Sequence, residues 1–209
     1  MTSPLGTFDV ATREGRRVTV ARRTRETDIA VTLDLDGSGA ADVRTGVGFL
    51  DHLLTSFAQH GLFDLAVRAT GDLEIDEHHT VEDVALVLGA ALAASLGDRA
   101  GIVRFGEASV PMDEALAYAV VDVGGRPYAV VELPFRGERV GALPTQLVEH
   151  ALEAFARTSG TTLHLRGTGR NDHHLAEAAF KALACALRAA VAEDPRRAGV
   201  VPSTKGSLG

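Results

Sequence analysis

Apolar and polar positions alternate at Val18 and Val20, and again at Ile29, Val31, Leu33 and Leu35. This period of two predicts two strands within 16–35, joined by the charged link 22–28. Asp36-Gly-Ser-Gly39 supplies a turn. The period then lengthens. Phe49, Leu50, Leu53, Leu54 and Phe57 share one side of a helix over 47–60, which Gly61 is expected to end. Leu62 to Thr70 predicts a strand, with Gly71-Asp72 as a turn. Val81, Val84, Ala85, Leu88 and Leu92 form the apolar stripe of a helix over 80–96. Strands are expected near 101–109, 115–123 and 127–133, a helix at 145–157, a strand at 161–166 and a helix at about 172–192. Asp194-Pro195 stops that last helix, and the tail Pro202-Ser-Thr-Lys-Gly206 has no core-forming pattern.

The pattern occurs twice. Val47-Gly-Phe-Leu-Asp-His52, followed by Phe57-Ala58, matches Gln146-Leu-Val-Glu-His150, followed by Phe155-Ala156. Leu65-Ala-Val matches Leu163-His-Leu, and His78-His79-x-x-Glu82 matches His173-His174-x-x-Glu177. An offset of 95 residues between the two boxes is too long for a solenoid and indicates a duplicated strand–helix–strand–helix unit. Strands and helices intermix without regular βαβ units. The expected class is therefore α+β: two similar half-domains, each a small sheet with helices packed on one face. The divisions are 1–100 for the first repeat, 101–194 for the second and 195–209 for a C-terminal tail.

Composition narrows the picture without deciding it. The 209 residues are 45% hydrophobic and 23% charged, ordinary for a globular chain. A net charge of −7 argues against nucleic acid as a bulk partner. No apolar run is expected to span a bilayer, and Met1-Thr-Ser-Pro-Leu-Gly6 does not have the form of a signal peptide, so a cytoplasmic location is expected. The single cysteine, Cys185, lies in an apolar helical run and is expected to be a small core residue.

The candidate chemistry lies in the histidines. Six of the eight, His52, His78, His79, His150, His173 and His174, fall at duplicated positions. In each box a glutamate follows within one helical turn, on the same face as the histidines. One His-His pair at a helix start is usually surface polarity. Two such pairs in duplicated context, joined by His52 and His150, offer six imidazoles and two carboxylates, enough for two first-row divalent ions. The absence of thiolate ligands argues against a structural zinc site of the cysteine type. His164 alternates within a strand and is expected to be structural, whereas His60 beside Gly61 is a candidate substrate contact. The boxes alone also permit a dinuclear metallohydrolase or a non-enzymatic, metal-locked assembly.

Longer motifs surround these residues. They include Phe49-Leu-Asp-His52, His60-Gly-Leu-Phe-Asp64, His78-His-Thr-Val-Glu-Asp83, Arg104-Phe-Gly106, Asp113-Glu-Ala-Leu116, Gly125-Arg-Pro127, Phe180-Lys-Ala182 and Pro202-Ser-Thr-Lys-Gly206. Together, over roughly 14–208, the chain resembles the imidazoleglycerol-phosphate dehydratases, in a monofunctional form without a histidinol-phosphatase domain. The resemblance implies dehydration of D-erythro-imidazole-glycerol phosphate to imidazole-acetol phosphate in histidine biosynthesis. It also implies two Mn²⁺ ions per site and a homo-oligomer of 24 subunits built from trimers.

The resemblance assigns further roles. Glu26, on its own a charged residue in a hairpin link, matches the catalytic glutamate, delivered from a neighbouring subunit. Arg104, Arg126, Lys181, Ser203 and Lys205 match phosphate contacts, for which guanidinium forks and a lysine point charge are suited. Gly71-Asp72 and Asp113 are candidates to position ligands or loops, without a catalytic role. An imidazole substrate would meet the ions through its ring nitrogens, which favours the imidazolate and helps expel the neighbouring hydroxyl. Ser56 stands where members often carry glutamine. Each ion is expected to draw on both repeats, with sites forming between subunits. The expected division is His52, His79, Glu82 and His174 on one ion, and His78, His150, His173 and Glu177 on the other.

Overall fold

The computed structural model describes residues 7–208, so the leader reading of residues 1–6 lies outside it. The first half holds β1 (Asp9–Glu14), β2 (Arg17–Arg23), β3 (Thr27–Asp34), β4 (Ala41–Arg44), α1 (Gly48–Gly61), β5 (Asp64–Gly71) and α2 (His78–Leu96). The second holds β6 (Phe105–Met112), β7 (Ala115–Asp122), β8 (Tyr128–Glu132), the short β9 (Arg139–Val140) and β10 (Leu143–Pro144), α3 (Thr145–Ser159), β11 (Thr162–Thr168) and α4 (Asp172–Val191). One sheet runs β1-β2-β3-β5-β4 and the other β6-β7-β11-β8. Each is antiparallel except where its short strand joins, β4 beside β5 and β8 beside β11. Without β1 the two orders coincide. The duplicated unit therefore includes the hairpins β2–β3 and β6–β7, which precede the segment where the two halves still match in sequence.

The burial pattern dictates the layering. In β3, Thr27, Ile29, Val31 and Leu33 are buried while the alternate residues are not; in β7, Ala115, Ala117, Ala119 and Val121 are the buried set. Each sheet thus has one face that must be covered. Helices α1 and α2 cover the first sheet, α3 and α4 the second. The pairs then meet each other, α2 on α3 and α1 on α4, so four helices lie between two sheets around one continuous core. Helix α2 is long and apolar enough to cross a membrane by length and composition, contrary to the expectation from apolar runs. Its apolar window is 72% buried inside the fold, as a central core helix should be.

Several boundaries differ from the periodicity. Helix α1 is terminated by Leu62 in the left-handed region (φ 57°), not by Gly61. Gly61 is needed for another reason: a Cβ there would lie 2.5 Å from the Phe63 ring. The strand expected near 101–109 is displaced to 105–112. Gly101 and Arg104 both take positive φ, and their N–H groups donate to Val200 and Ala190 carbonyls instead of a sheet neighbour. Strands β1 and β4 are largely exposed and carry no clean alternation, so the pattern does not reveal them. Cys185 is half-buried against the His60 carbonyl and not fully in the core.

Candidate active site

The duplicated acid–histidine pairs sit at the starts of α1 and α3, where the acid has a structural task. Asp51 accepts hydrogen bonds from the Thr45 N–H (2.9 Å) and hydroxyl (2.5 Å), just past β4. Glu149 accepts from Leu133 N–H (3.0 Å), just past β8. Each carboxylate anchors its helix to the parallel strand before it and so fixes where the next residue, His52 or His150, points.

The two boxes sit on the first turns of α2 and α4. His173 and Glu177 lie four apart on α4, and His52 of α1 reaches the same place: both histidine Nε2 atoms stand 3.2 Å from Glu177 Oε2. On the opposite helix pair, His78 Nε2 and His150 Nε2 stand 3.9 and 3.3 Å from the Glu82 carboxylate. Each cluster takes one helix from each half, as expected. The expected division does not hold. Residues four apart share a helix face more closely than residues three apart, so His78 stays with Glu82 and His173 with Glu177. His79 and His174 belong to neither cluster within the chain.

The ligand atoms within each trio lie within 4.8 Å of one another. Atoms held about 2.0–2.2 Å from one first-row ion are separated by about 3–4.5 Å, so both trios fit a cation. The buried His150 Nε2 makes no hydrogen bond, although a Glu82 oxygen faces it. An imidazole nitrogen and a carboxylate oxygen side by side, with no hydrogen bond between them, suit a metal held by both. Each glutamate also has a cation at its back. Burial raises the Glu177 pKa, but the hydrogen bond from Lys181 (2.7 Å) and that from His52 outweigh it and hold the group at about 2. Arg157 stands 3.6 Å from Glu82. Phe49 packs on the His173 ring, with centroids 4.9 Å apart.

The two remaining box histidines have carboxylate partners of their own. His79 Nδ1 is 3.0 Å from Asp72 Oδ2, a hydrogen bond that raises the His79 pKa. His174 Nδ1 is 2.9 Å from Glu114 Oε2. Glu26 lies in the β2–β3 turn, more than half exposed, with Oε2 4.0 Å from His79 Nδ1. Spacing alone ties neither Asp72 nor Glu114 to these histidines. In the sequence Asp72 stands as a turn residue that could position a ligand or loop, and Glu114 stands only inside a motif.

Arg104, Arg126, Ser203 and Lys205 line one cleft of about 620 Å³ at the second sheet's end. Arg104 directs Nε and Nη2 to Asp122 and Nη1 to the Pro202 carbonyl (2.7 Å), so it pins the tail beside the cleft. The tail turns at Ser203, whose carbonyl accepts from Gly206 N–H. Lys181 is elsewhere, between Glu177 and Met112 Sδ. His60 is exposed near the end of α1, and partial desolvation of its ring, with Lys181 nearby, lowers its pKa. Ser56 is buried and its hydroxyl has no hydrogen-bond partner. His164 faces outward on β11, opposite Val120 and Val130.

The family model for imidazoleglycerol-phosphate dehydratase matches residues 45–187, which contain both clusters. The chain belongs to the imidazoleglycerol-phosphate dehydratase family. A relative of that name from Methanoculleus marisnigri is 59% identical, covering 90% of this chain and 97% of its own. The chloroplastic relative of Pisum sativum is 54% identical over 96% of this chain and 71% of its own. Among solved structures, the Pyrococcus furiosus member in complex with (S)-C348 superposes with a TM-score of 0.78 at 38% identity, covering 90% of this chain and 99% of that one. The Staphylococcus aureus member gives 0.74 at 36%, covering 83% and 98%. The mixed architecture with its two duplicated sheets is thus the family's fold.

Proposed function

We propose that the chain dehydrates imidazoleglycerol phosphate to imidazole-acetol phosphate in histidine biosynthesis, in the cytoplasm, with two Mn²⁺ ions per site. The observation that carries this reading is the pair of symmetry-related trios, His52, His173, Glu177 and His78, Glu82, His150, each spaced for one cation. The family relationship supplies the substrate. Bound there, the ions supply Lewis acidity toward the ring nitrogens of an imidazole.

The reaction breaks one C–H and one C–O bond and releases water. Glu26 is the group proposed to take the carbon-bound proton and return it to the departing hydroxyl, the work of a positioned general acid–base. Its exposed carboxylate near His79 supports that role. Arg126, Ser203 and Lys205 at the cleft are proposed to hold the phosphate, with Arg104 fixing the tail that carries two of them. Lys181 and His60 are proposed at the rim of the Glu177 trio.

Self-association, into trimers and a 24-subunit assembly, is part of the same proposal. His79 and His174 stand outside both trios within one chain, so a second copy is the proposed source of the fourth imidazole at each. The outward face of the second sheet supports this, because Leu116, Tyr118 and Val120 of β7 and Phe105 and Tyr128 beside them are exposed.

Incubation of the assembled protein with Mn²⁺ and imidazole-glycerol phosphate should give the ketone product. Chelation should stop turnover, and added Mn²⁺ should restore it. Metal-loaded protein that forms no product would sink the dehydratase reading. Dissociation of the oligomer by chelation, with no turnover before it, would favour a purely structural metal.

A further inference from the structure

The hairpin turns β2–β3 and β6–β7 occupy corresponding places in their sheets, and each brings carboxylates toward the second histidine of a box. In the first half that carboxylate is Glu26, 4.0 Å from His79 and more than half exposed. In the second the residue at the corresponding place is Glu114, while Asp113 before it is 80% exposed with Oδ2 3.9 Å from His174 Nε2. Glu114 is fully engaged. One oxygen accepts from His174 Nδ1 at 2.9 Å, and the other from the N–H groups of Arg170 (3.0 Å) and Asn171 (2.7 Å) at the entry to α4. These three bonds, the His174 bond first, hold its pKa at about 2. In the first half the corresponding bond to His79 comes from Asp72, just past β5, at 3.0 Å. Past β11 the corresponding position is Arg170, which has no carboxylate to offer.

A carboxylate that accepts from Nδ1–H fixes the imidazole tautomer, leaving Nε2 with its lone pair free for a metal. We propose that Glu114 and Asp72 are positioning residues that do this for His174 and His79, and that Asp72, by taking the task in the first half, releases Glu26 for proton transfer. The proposal rests on the metal-dependent reading above. It accounts for why the residue corresponding to Glu26 is tied to its histidine and helix entry in the second half. Glu114, with an acceptor role on both oxygens, is withheld from the chemistry that the corresponding turn performs in the first half.

An amide in place of the carboxylate offers a weaker acceptor, and can present N–H to the ring instead, favouring the wrong tautomer. Glu114→Gln and Asp72→Asn are therefore each expected to weaken one of the two sites by about 10–100-fold while leaving the other at parent affinity. By the symmetry of the trios, the two variants should weaken different sites. The measurement is Mn²⁺ binding to the assembled protein by calorimetry with metal analysis, together with melting of the metal-free form. Parent-like affinity at both sites in both variants would overturn the proposal. So would a lowered metal-free melting temperature with unchanged metal affinity, which is the signature of a tie that only anchors the hairpin to α4. Asp72→Asn keeps the test decisive if Glu114→Gln does not fold, because the Asp72 side chain holds no helix entry. Failure of the dehydratase reading would appear separately, as parent enzyme that binds Mn²⁺ and yields no product. Parent that binds no Mn²⁺ would overturn both.

Discussion

The β2–β3 and β6–β7 hairpins are copies in topology but are held by opposite means. The first is tied to the second turn of its helix: Asp83 of α2 accepts from both the Arg22 guanidinium and the Thr27 hydroxyl. The second is tied to the end of its helix, through Glu114 to the α4 entry. The residue corresponding to Asp83 in α4 is Ala178, fully buried in the core. The difference shows what a duplicated fold can afford to vary. Both halves keep the ligand spacing that a metal demands, while the task of anchoring a hairpin moves from one part of the turn to another. A turn anchored by Arg22 and Thr27 leaves Glu26 free; in a turn anchored by Glu114 the residue at that place is committed, and the exposed carboxylate is its neighbour Asp113.

The largest break in this comparison should come from Glu26→Gln. It removes the free carboxylate without touching either trio. We expect kcat to fall by about 10²–10⁴-fold, the usual share of a general acid–base, with two metal ions still bound. Turnover assays beside metal analysis check this. Unchanged turnover would show that Glu26 is only a solvated turn residue, and the contrast with Glu114 would lose its functional meaning.

Asp83→Ala should sharpen the contrast in stability. The variant removes the acceptor that the Arg22 guanidinium and the buried Thr27 hydroxyl share. Loss of an acceptor from a buried donor costs about 1–3 kcal/mol. The expected readout is a lower denaturation midpoint and, because the turn carrying Glu26 loosens, a fall in kcat with metal affinity retained. Ala178→Asp, the converse change, should destabilise the fold strongly, since Ala178 has no exposure and the aspartate would place a charge in the core. A soluble, parent-like Asp83→Ala would mean that β2–β3 is held by the sheet alone.

How far the sequence reveals this molecule depends on which force placed each part. The core strands and all four helices follow from apolar periodicity, because burial of one face is what made them. Exposed β1 and β4 are held by backbone bonds to a neighbouring strand, which leaves no side-chain pattern. The six box and helix-start histidines are legible through duplication. Their grouping is not, because it depends on which helices cross, α1 with α4 and α2 with α3, a matter of tertiary packing. Asp72 and Glu114 are illegible for a related reason. They serve equivalent histidines from non-equivalent positions, so aligning the two halves conceals the shared task.

The smallest effect tests the helix crossings themselves. On α2 the residue seven beyond Glu82 is Gly89, and on α4 the residue seven beyond Glu177 is Ala184. At Gly89 an added Cβ would lie 2.5 Å from the Phe155 carbonyl and 2.2 Å from Thr158 Oγ1, which itself donates to the Leu86 carbonyl at 2.8 Å. The α2–α3 crossing is therefore closed at backbone distance, whereas at the corresponding point of α4 a methyl is already packed with no exposure. Gly89→Ala should cost about 1–3 kcal/mol by overpacking, even though alanine is the better helix former. It should also part α2 from α3 and lower metal affinity at the His78, Glu82, His150 trio alone. Ala184→Gly should cost about 1 kcal/mol and leave both trios intact. Melting curves and Mn²⁺ titrations of the two variants separate these outcomes. A Gly89→Ala protein as stable as the parent would mean that the crossing has room to spare, and that the first trio is not set by it.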